Sequence, residues 1–214
     1  MTLGVLGGTF DPIHNGHIAA AAAAQASLDL ESMVLVPSHI PPHRQDPVGA
    51  TAEQRYAMAR LAAEQPGWTA SRIEIDRDGP SYTFDTLVEL RSGSAGTQIF
   101  FILGADAFAE IASWSRYPEV LDLANFVVVS RPGITLNSLR ERAPSAFEHH
   151  PPCSPSALRD LDSEETRVIL VESNTPDISS TDIRRRVRAG EPLSGLVPAT
   201  VAEYIRTHRL YVGH

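Results

Sequence analysis

Short apolar runs alternate with helix-forming stretches along most of the 214 residues. The first run, 3–6, ends in Gly7-Gly8 and predicts a buried strand followed by a tight turn. Helical composition follows over 16–28, and Met-Val-Leu-Val at 33–36 predicts a second strand stopped by Pro37. The Pro-rich stretch 38–49 predicts an irregular loop. Thr51, with Gln54 three residues on, predicts a capping box that opens a helix over 51–64. Alternation at 69–75 predicts a strand, and Ser81 or Thr83 is the expected cap of a helix reaching residue 90. Gln-Ile-Phe-Phe-Ile-Leu at 98–103 predicts a buried strand, with a helical stretch from Ala105. Further strands are expected at 126–129 and 167–171. Ser179 starts a helix that stops at Gly190 before Pro192, and Pro198 opens a last helix to about residue 208.

Strands alternating with helices over the whole length predict an α/β fold: a Rossmann-like, doubly wound parallel sheet with helices on both faces. The expected organisation is a single domain over 1–214, with a polar, Pro-rich insertion or mobile loop at about 134–166. In such sheets ligands gather beyond the carboxyl ends of the strands, where strand order reverses. That rule selects the loops 7–17, 37–44 and 104–106, and Arg131.

Composition narrows the chemistry. No apolar run reaches the ~18–20 residues of a membrane span, and the start carries no basic leader, so a soluble, cytoplasmic protein is expected. A single cysteine, Cys153, excludes an internal disulfide framework and a multi-cysteine zinc site. All 18 basic residues are arginines. The lack of lysine excludes a P-loop lysine, a Schiff-base lysine and a lysyl-nucleotide intermediate. A net charge of −8 argues against a general nucleic-acid binder, although a local arginine cluster can still hold a phosphate.

Two strings carry candidate chemistry. The first is Gly7-Gly8-Thr9-Phe10-Asp11-Pro12-Ile13-His14-Asn15-Gly16-His17. Glycines after a strand let backbone N–H groups approach a phosphate. Histidines three apart at a helix start share a face and can both donate to one anion. The same residues also read as a plain glycine turn with two capping histidines, or, with Asp11, as metal ligands. The second string is Ile178-Ser179-Ser180-Thr181-Asp182-Ile183-Arg184. Three hydroxyl residues at a helix start offer donors where the helix dipole favours an anion, and Arg184 can lean back over the same turn. The plain alternative is an N-cap with a solvated basic face. Taken together, two anion sites converging on one crevice imply a polyphosphate.

The two strings closely resemble those of the nucleotidyltransferase superfamily with an H-x-G-H-type motif, and within it the bacterial nicotinate-nucleotide adenylyltransferases. Further matches are Pro41-Pro42-His43-Arg44, Tyr82-Thr83 before Asp85-Thr86-Leu87, Gly104-Ala105-Asp106 with Trp114, Ser130-Arg131-Pro132-Gly133, and the ending from Leu196 to Tyr211. Arg44 stands where a lysine is common. The resemblance implies transfer of the adenylyl group of ATP to nicotinate mononucleotide, releasing pyrophosphate, with Mg²⁺ held mainly by phosphates and water and no protein metal ligand. It implies catalytic roles for His14, His17 and Arg184. ATP would meet Gly8, Thr9, Phe10, Gly104, Asp106, Ile178, Ser179, Ser180 and Thr181. The mononucleotide would meet His43, Arg44, Thr83, Trp114, Ser115 and Arg131, with Trp114 stacking on the pyridine ring and Thr83 donating to the carboxylate. Asp106 also reads as the N-cap of its helix. Rival expectations are a pantetheine-phosphate adenylyltransferase, an amide-preferring mononucleotide enzyme, and an ATP-sensing module without turnover. Neither a nucleic-acid nor a membrane partner is expected, and no signal fixes an oligomeric state.

Overall fold

The structure, a computed structural model, describes residues 1–42, 49–93, 96–130, 136–150, 152–158 and 165–212. In chain order its elements are β1 (Thr2–Gly8), α1 (Asn15–Leu28), β2 (Ser32–Pro37), α2 (Ala52–Ala62), β3 (Trp68–Ala70), α3 (Thr83–Gly93), β4 (Gln98–Gly104) and α4 (Ala105–Ala109). Two 3-10 turns, Ile111–Ser113 and Glu119–Leu123, lead to β5 (Asn125–Ser130) and α5 (Leu136–Arg142). Then come α6 (Ala146–His149), β6 (Pro152–Cys153), α7 (Pro155–Leu158), β7 (Val168–Glu172), α8 (Ser180–Ala189) and α9 (Ala199–Thr207).

The strands form one seven-stranded sheet in the order β3-β2-β1-β4-β5-β7-β6. Pairing is parallel where β4 meets β1 and β5, and where β7 meets β5 and β6. The chain builds outward from β1 through β2 to β3, then returns to place β4 on the other side of β1. Strand order therefore reverses between β1 and β4, which makes the carboxyl ends of these strands the expected ligand side. The α/β parallel sheet read from the alternating pattern is the one observed.

Contacts gather the chain into two compact units. The first comprises Met1–Gly7, Ala20–Met33 and Tyr82–Thr175. Its core is the set of apolar runs that the sequence marks as buried strands, including Phe100, Ile102, Phe126, Val127, Val128 and Ile169. Continuous apolar runs, without alternation, are what strands buried on both faces require. The second unit comprises Gly8–Ala19, Val34–Ser81 and Pro176–His214. Here Met58, Ala59 and Ala62 of α2 and Val201 and Ile205 of α9 are buried, and Thr200 Oγ1 donates to Leu61 O at 3.3 Å.

Local chemistry explains the helix ends. Thr51 Oγ1 accepts from Gln54 N at 3.2 Å while Gln54 Oε1 accepts from Thr51 N at 2.9 Å, the expected capping box. Ser179 caps α8, and Gly190 closes it in the left-handed conformation at φ 68°.

Three expectations change. The strand predicted over 69–75 is only Trp68–Ala70: Asp76 N donates to Arg72 O at 2.8 Å, and the Arg72 guanidinium grips Glu53 and Asp76, so the chain turns instead of extending. Neither Ser81 nor Thr83 caps α3. Ser81 Oγ accepts from His39 N at 2.8 Å, and the helix opens at Thr83 with Tyr82 O accepting from Thr86 N. The stretch expected as an insertion or mobile loop contains α5, α6, β6 and α7 among its described residues. Its anchors, Leu139, Ala143 and Ala146, are buried, and Phe147 packs on Phe108 at 5.5 Å between ring centroids. Such scattered anchors leave no period for a sequence to display.

Candidate active site

The first string leaves β1 through Gly8. A Cβ at Gly8 would lie 2.8 Å from the Phe10 ring, so this position has no room for a side chain. Phe10 itself adopts φ 50° and is buried, with its ring edge-on to His17 at 5.1 Å. The turn thereby drives an aromatic ring under the histidine pair.

His14 and His17 stack, with centroids 3.6 Å apart and planes 25° apart. The contact is reciprocal: His14 N donates to His17 Nδ1 at 3.3 Å, and His17 N donates to His14 Nδ1 at 3.4 Å. An Nδ1 that accepts carries no proton, so each neutral ring holds its hydrogen on Nε2. Burial, and then repulsion from His14, holds the His17 pKa well below the ordinary histidine value. Near neutral pH His17 is thus an uncharged N–H donor.

The second string meets the first in the same compact unit. Ser180 Oγ donates to Pro12 O at 2.9 Å. Arg184 Nη1 donates to Asp11 O at 2.7 Å and lies 3.5 Å from Asp11 Oδ2, and Arg184 Nη2 donates to Thr181 Oγ1 at 3.1 Å. The N-terminus of the ten-residue α8 is therefore fastened to the loop that enters α1, as the two-site reading requires. Ser179 Oγ accepts from Asp182 N at 3.1 Å. As acceptors in these bonds, Ser179 and Thr181 each keep a hydroxyl hydrogen for an anion, whereas that of Ser180 is engaged by Pro12. Ile178 is buried just ahead of the cap.

Two residues central to this arrangement were not predicted in these roles. Asp11 is buried, and its carboxylate accepts from Gly49 N at 2.9 Å and Ala50 N at 3.0 Å as well as facing Arg184. Arg55, buried on α2, donates to the carbonyls of Thr9, Ser38, His39 and Ala50. Asp11 stands inside the first string, but Arg55 carries no positional signal beyond a charge in a helix. Tyr211 closes the cluster at the C-terminal end. Its Oη is buried, and burial with the nearby Asp11 carboxylate pushes its pKa far up.

Of the remaining expected residues, Thr83, Gly104, Asp106, Trp114 and Ser115 belong to the first unit. Trp114 is half-buried and stands edge-on to Phe101 of β4 at 6.1 Å. Arg116 lies 4.5 Å over the Phe84 ring, which brings the segment of Trp114 and Ser115 against the first turn of α3, where Thr83 sits half-buried. Gly104, not Asp106, is the N-cap of α4. The Asp106 side chain is largely exposed, 3.8 Å from Arg142 Nη1. His43, Arg44 and Arg131 lie outside the described residues. Among the described residues no group of three or more His, Cys, Asp or Glu side chains could hold a metal ion, and no helix is long and apolar enough to cross a membrane.

Residues 5–186 match the family described as cytidylyltransferase-like. A protein of Saccharopolyspora erythraea named "Probable nicotinate-nucleotide adenylyltransferase" is 42% identical over 99% of this chain and 90% of its own length. One of the same name from Geotalea daltonii is 40% identical over 99% and 98%. Among solved structures, the Plasmodium falciparum nicotinic acid mononucleotide adenylyltransferase complexed with NaAD superposes with a TM-score of 0.68, at 16% identity, covering 98% of this chain and 97% of its own. That likeness is one of fold. The sequence matches run nearly end to end and include both strings. The chain belongs to the cytidylyltransferase-like family, among the relatives named nicotinate-nucleotide adenylyltransferases.

Proposed function

We propose that this protein, acting as one nucleotidyltransferase domain in the cytoplasm, transfers the adenylyl group of MgATP to nicotinate mononucleotide, yielding nicotinate adenine dinucleotide and pyrophosphate. The observation that carries the reading is the junction of the two strings, Ser180 to Pro12 and Arg184 to Asp11, beside the stacked histidines. It supports a single site lined by two helix N-termini and imidazole N–H donors, which suits a triphosphate chain.

The attacking group is the mononucleotide's own phosphate, already mostly ionised at neutral pH because its second pKa is about 6. No protein base is needed, and catalysis reduces to positioning and charge stabilisation at the α-phosphorus. His14 and His17 donate from Nε2 to the α-phosphate as charge develops. Ser179 and Thr181 donate to the β- and γ-phosphates, with Ser180 and Ile178 shaping that turn. Arg184 holds Thr181 and the Asp11 carbonyl and presents the rest of its guanidinium to the leaving pyrophosphate. Gly8, Thr9 and Phe10 line the nucleotide, with Gly104 and Asp106 at its ribose. Trp114 and Ser115 meet the pyridine ring, Thr83 its carboxylate, and His43, Arg44 and Arg131 the mononucleotide phosphate. Mg²⁺ enters with ATP, held by phosphate oxygens and water. The Asp11 carboxylate is engaged by two backbone amides and Arg184 and is no free ligand.

Pyrophosphate release from MgATP, measured with nicotinate mononucleotide, its amide and phosphopantetheine as separate acceptors, tests the reading. The acid mononucleotide is expected to give the highest kcat/KM. A preference for either other acceptor, or ATP binding without release, would replace it.

A further inference from the structure

Arg55 belongs to none of the motifs, yet among the described residues of the second unit it is the most enclosed arginine, 1% exposed. Its Nε donates to Ala50 O at 3.3 Å, Nη1 to Thr9 O at 2.7 Å and Ser38 O at 2.5 Å, and Nη2 to His39 O at 3.0 Å. These carbonyls come from three separate stretches: the loop after β1, the residues after β2, and the residue two before α2. Asp11, on the first of these stretches, accepts from Gly49 N and Ala50 N of the third. Burying a cation is unfavourable, and an apolar side chain of similar length would sit at a helix core position without that penalty. What an apolar side chain lacks is a planar fork that reaches several carbonyls at once. Lysine, a point donor, lacks it too.

We propose that Arg55 is a positioning residue for adenylyl transfer, fixing the β1 loop that carries Thr9 against the β2 loop that carries Ser38 and His39. The inference rests on the reading above, in which the β1 loop serves ATP and the β2 loop leads to the mononucleotide phosphate. Each loop still recognises its own substrate when the fork is lost, but the two reactants no longer meet in line.

Arg55→Lys and Arg55→Gln in the full chain test this, with Met58→Ala as a packing control. Met58 is fully buried on the same helix and is given no part in substrate binding by the proposed function. Thermal unfolding, calorimetric affinity for MgATP, and kcat and KM for both substrates are compared with the unaltered protein. The expected result is a fall in kcat of about tenfold or more in both Arg55 variants, with KM values and MgATP affinity within about threefold. Met58→Ala should lower Tm at least as much and keep kcat within about twofold. An Arg55→Lys kcat within twofold of normal overturns the inference, as does an equal fall in Met58→Ala. Loss of cooperative unfolding in both Arg55 variants also overturns it, because the residue would then serve folding alone. If the unaltered protein releases no pyrophosphate with any mononucleotide, the functional reading fails and takes the inference with it. Normal release with unchanged variants defeats the inference alone.

Discussion

Each ring of the His14/His17 pair accepts the other's backbone amide on Nδ1, so the entry to α1 is held by the same side chains that the proposed function assigns to the α-phosphate. The arrangement links stability to pH. The folded His17 pKa lies below its unfolded value of about 6.5, so the unfolded chain binds this proton more readily than the folded one. The contribution of His17 is complete above about pH 6.5 and is lost as pH falls from there toward the depressed folded value. Urea unfolding between pH 7 and 5 should show stability declining by at most about 1.4 kcal/mol per pH unit, a slope that His17→Ala removes. The same substitution should lower kcat by about 10²-fold, as loss of a charge-stabilising donor does. A variant with the parent's slope and rate would detach His17 from both roles. Spacing in the sequence placed the two histidines on one helix face. Capping by these histidines was one of the readings the sequence offered; that each ring caps the other's backbone amide was not, because it depends on side-chain rotamers.

The α8 element shows what local chemistry can and cannot announce. Its start at Ser179 and its stop at Gly190 are written in adjacent residues and were read correctly. The capping box at Thr51 was legible for the same reason. The truncation of β3 was not, since it follows from Arg72 reaching Glu53, 19 residues away. Arg55 was invisible because its partners are carbonyls, which every residue carries. Ser179→Ala removes the acceptor of Asp182 N and should destabilise the protein by about 1 kcal/mol. In a chain of this size that is a fall in Tm of about 2–4 °C. It should also raise the KM for ATP more than that for the mononucleotide, because the proposed function gives the lost hydroxyl to the β- and γ-phosphates. A Tm change without a KM change would confine Ser179 to capping.

Over the whole molecule, the expected residues divide by unit. The histidine pair, the hydroxyl cap and Arg184 all lie in the unit that contains α2, α8 and α9, while Thr83, Trp114 and Ser115 lie in the unit built on β4, β5 and β7. The parallel sheet was legible because strands buried on both faces must be apolar throughout. The division was not, because it depends on which distant segments pack together. Trp114 keeps part of its surface exposed and packs roughly perpendicular to Phe101, and the proposed function assigns it to the pyridine ring. Stacking adds about 1 kcal/mol beyond burial, and burial of the ring itself adds a similar amount or more. Trp114→Ala should therefore raise the KM for nicotinate mononucleotide by about tenfold or more and leave that for ATP within about twofold. Steady-state kinetics with each substrate varied in turn decides the matter. Equal rises in both constants would mean that Trp114 supports the packing of β4 and has no direct part in recognising the pyridine ring.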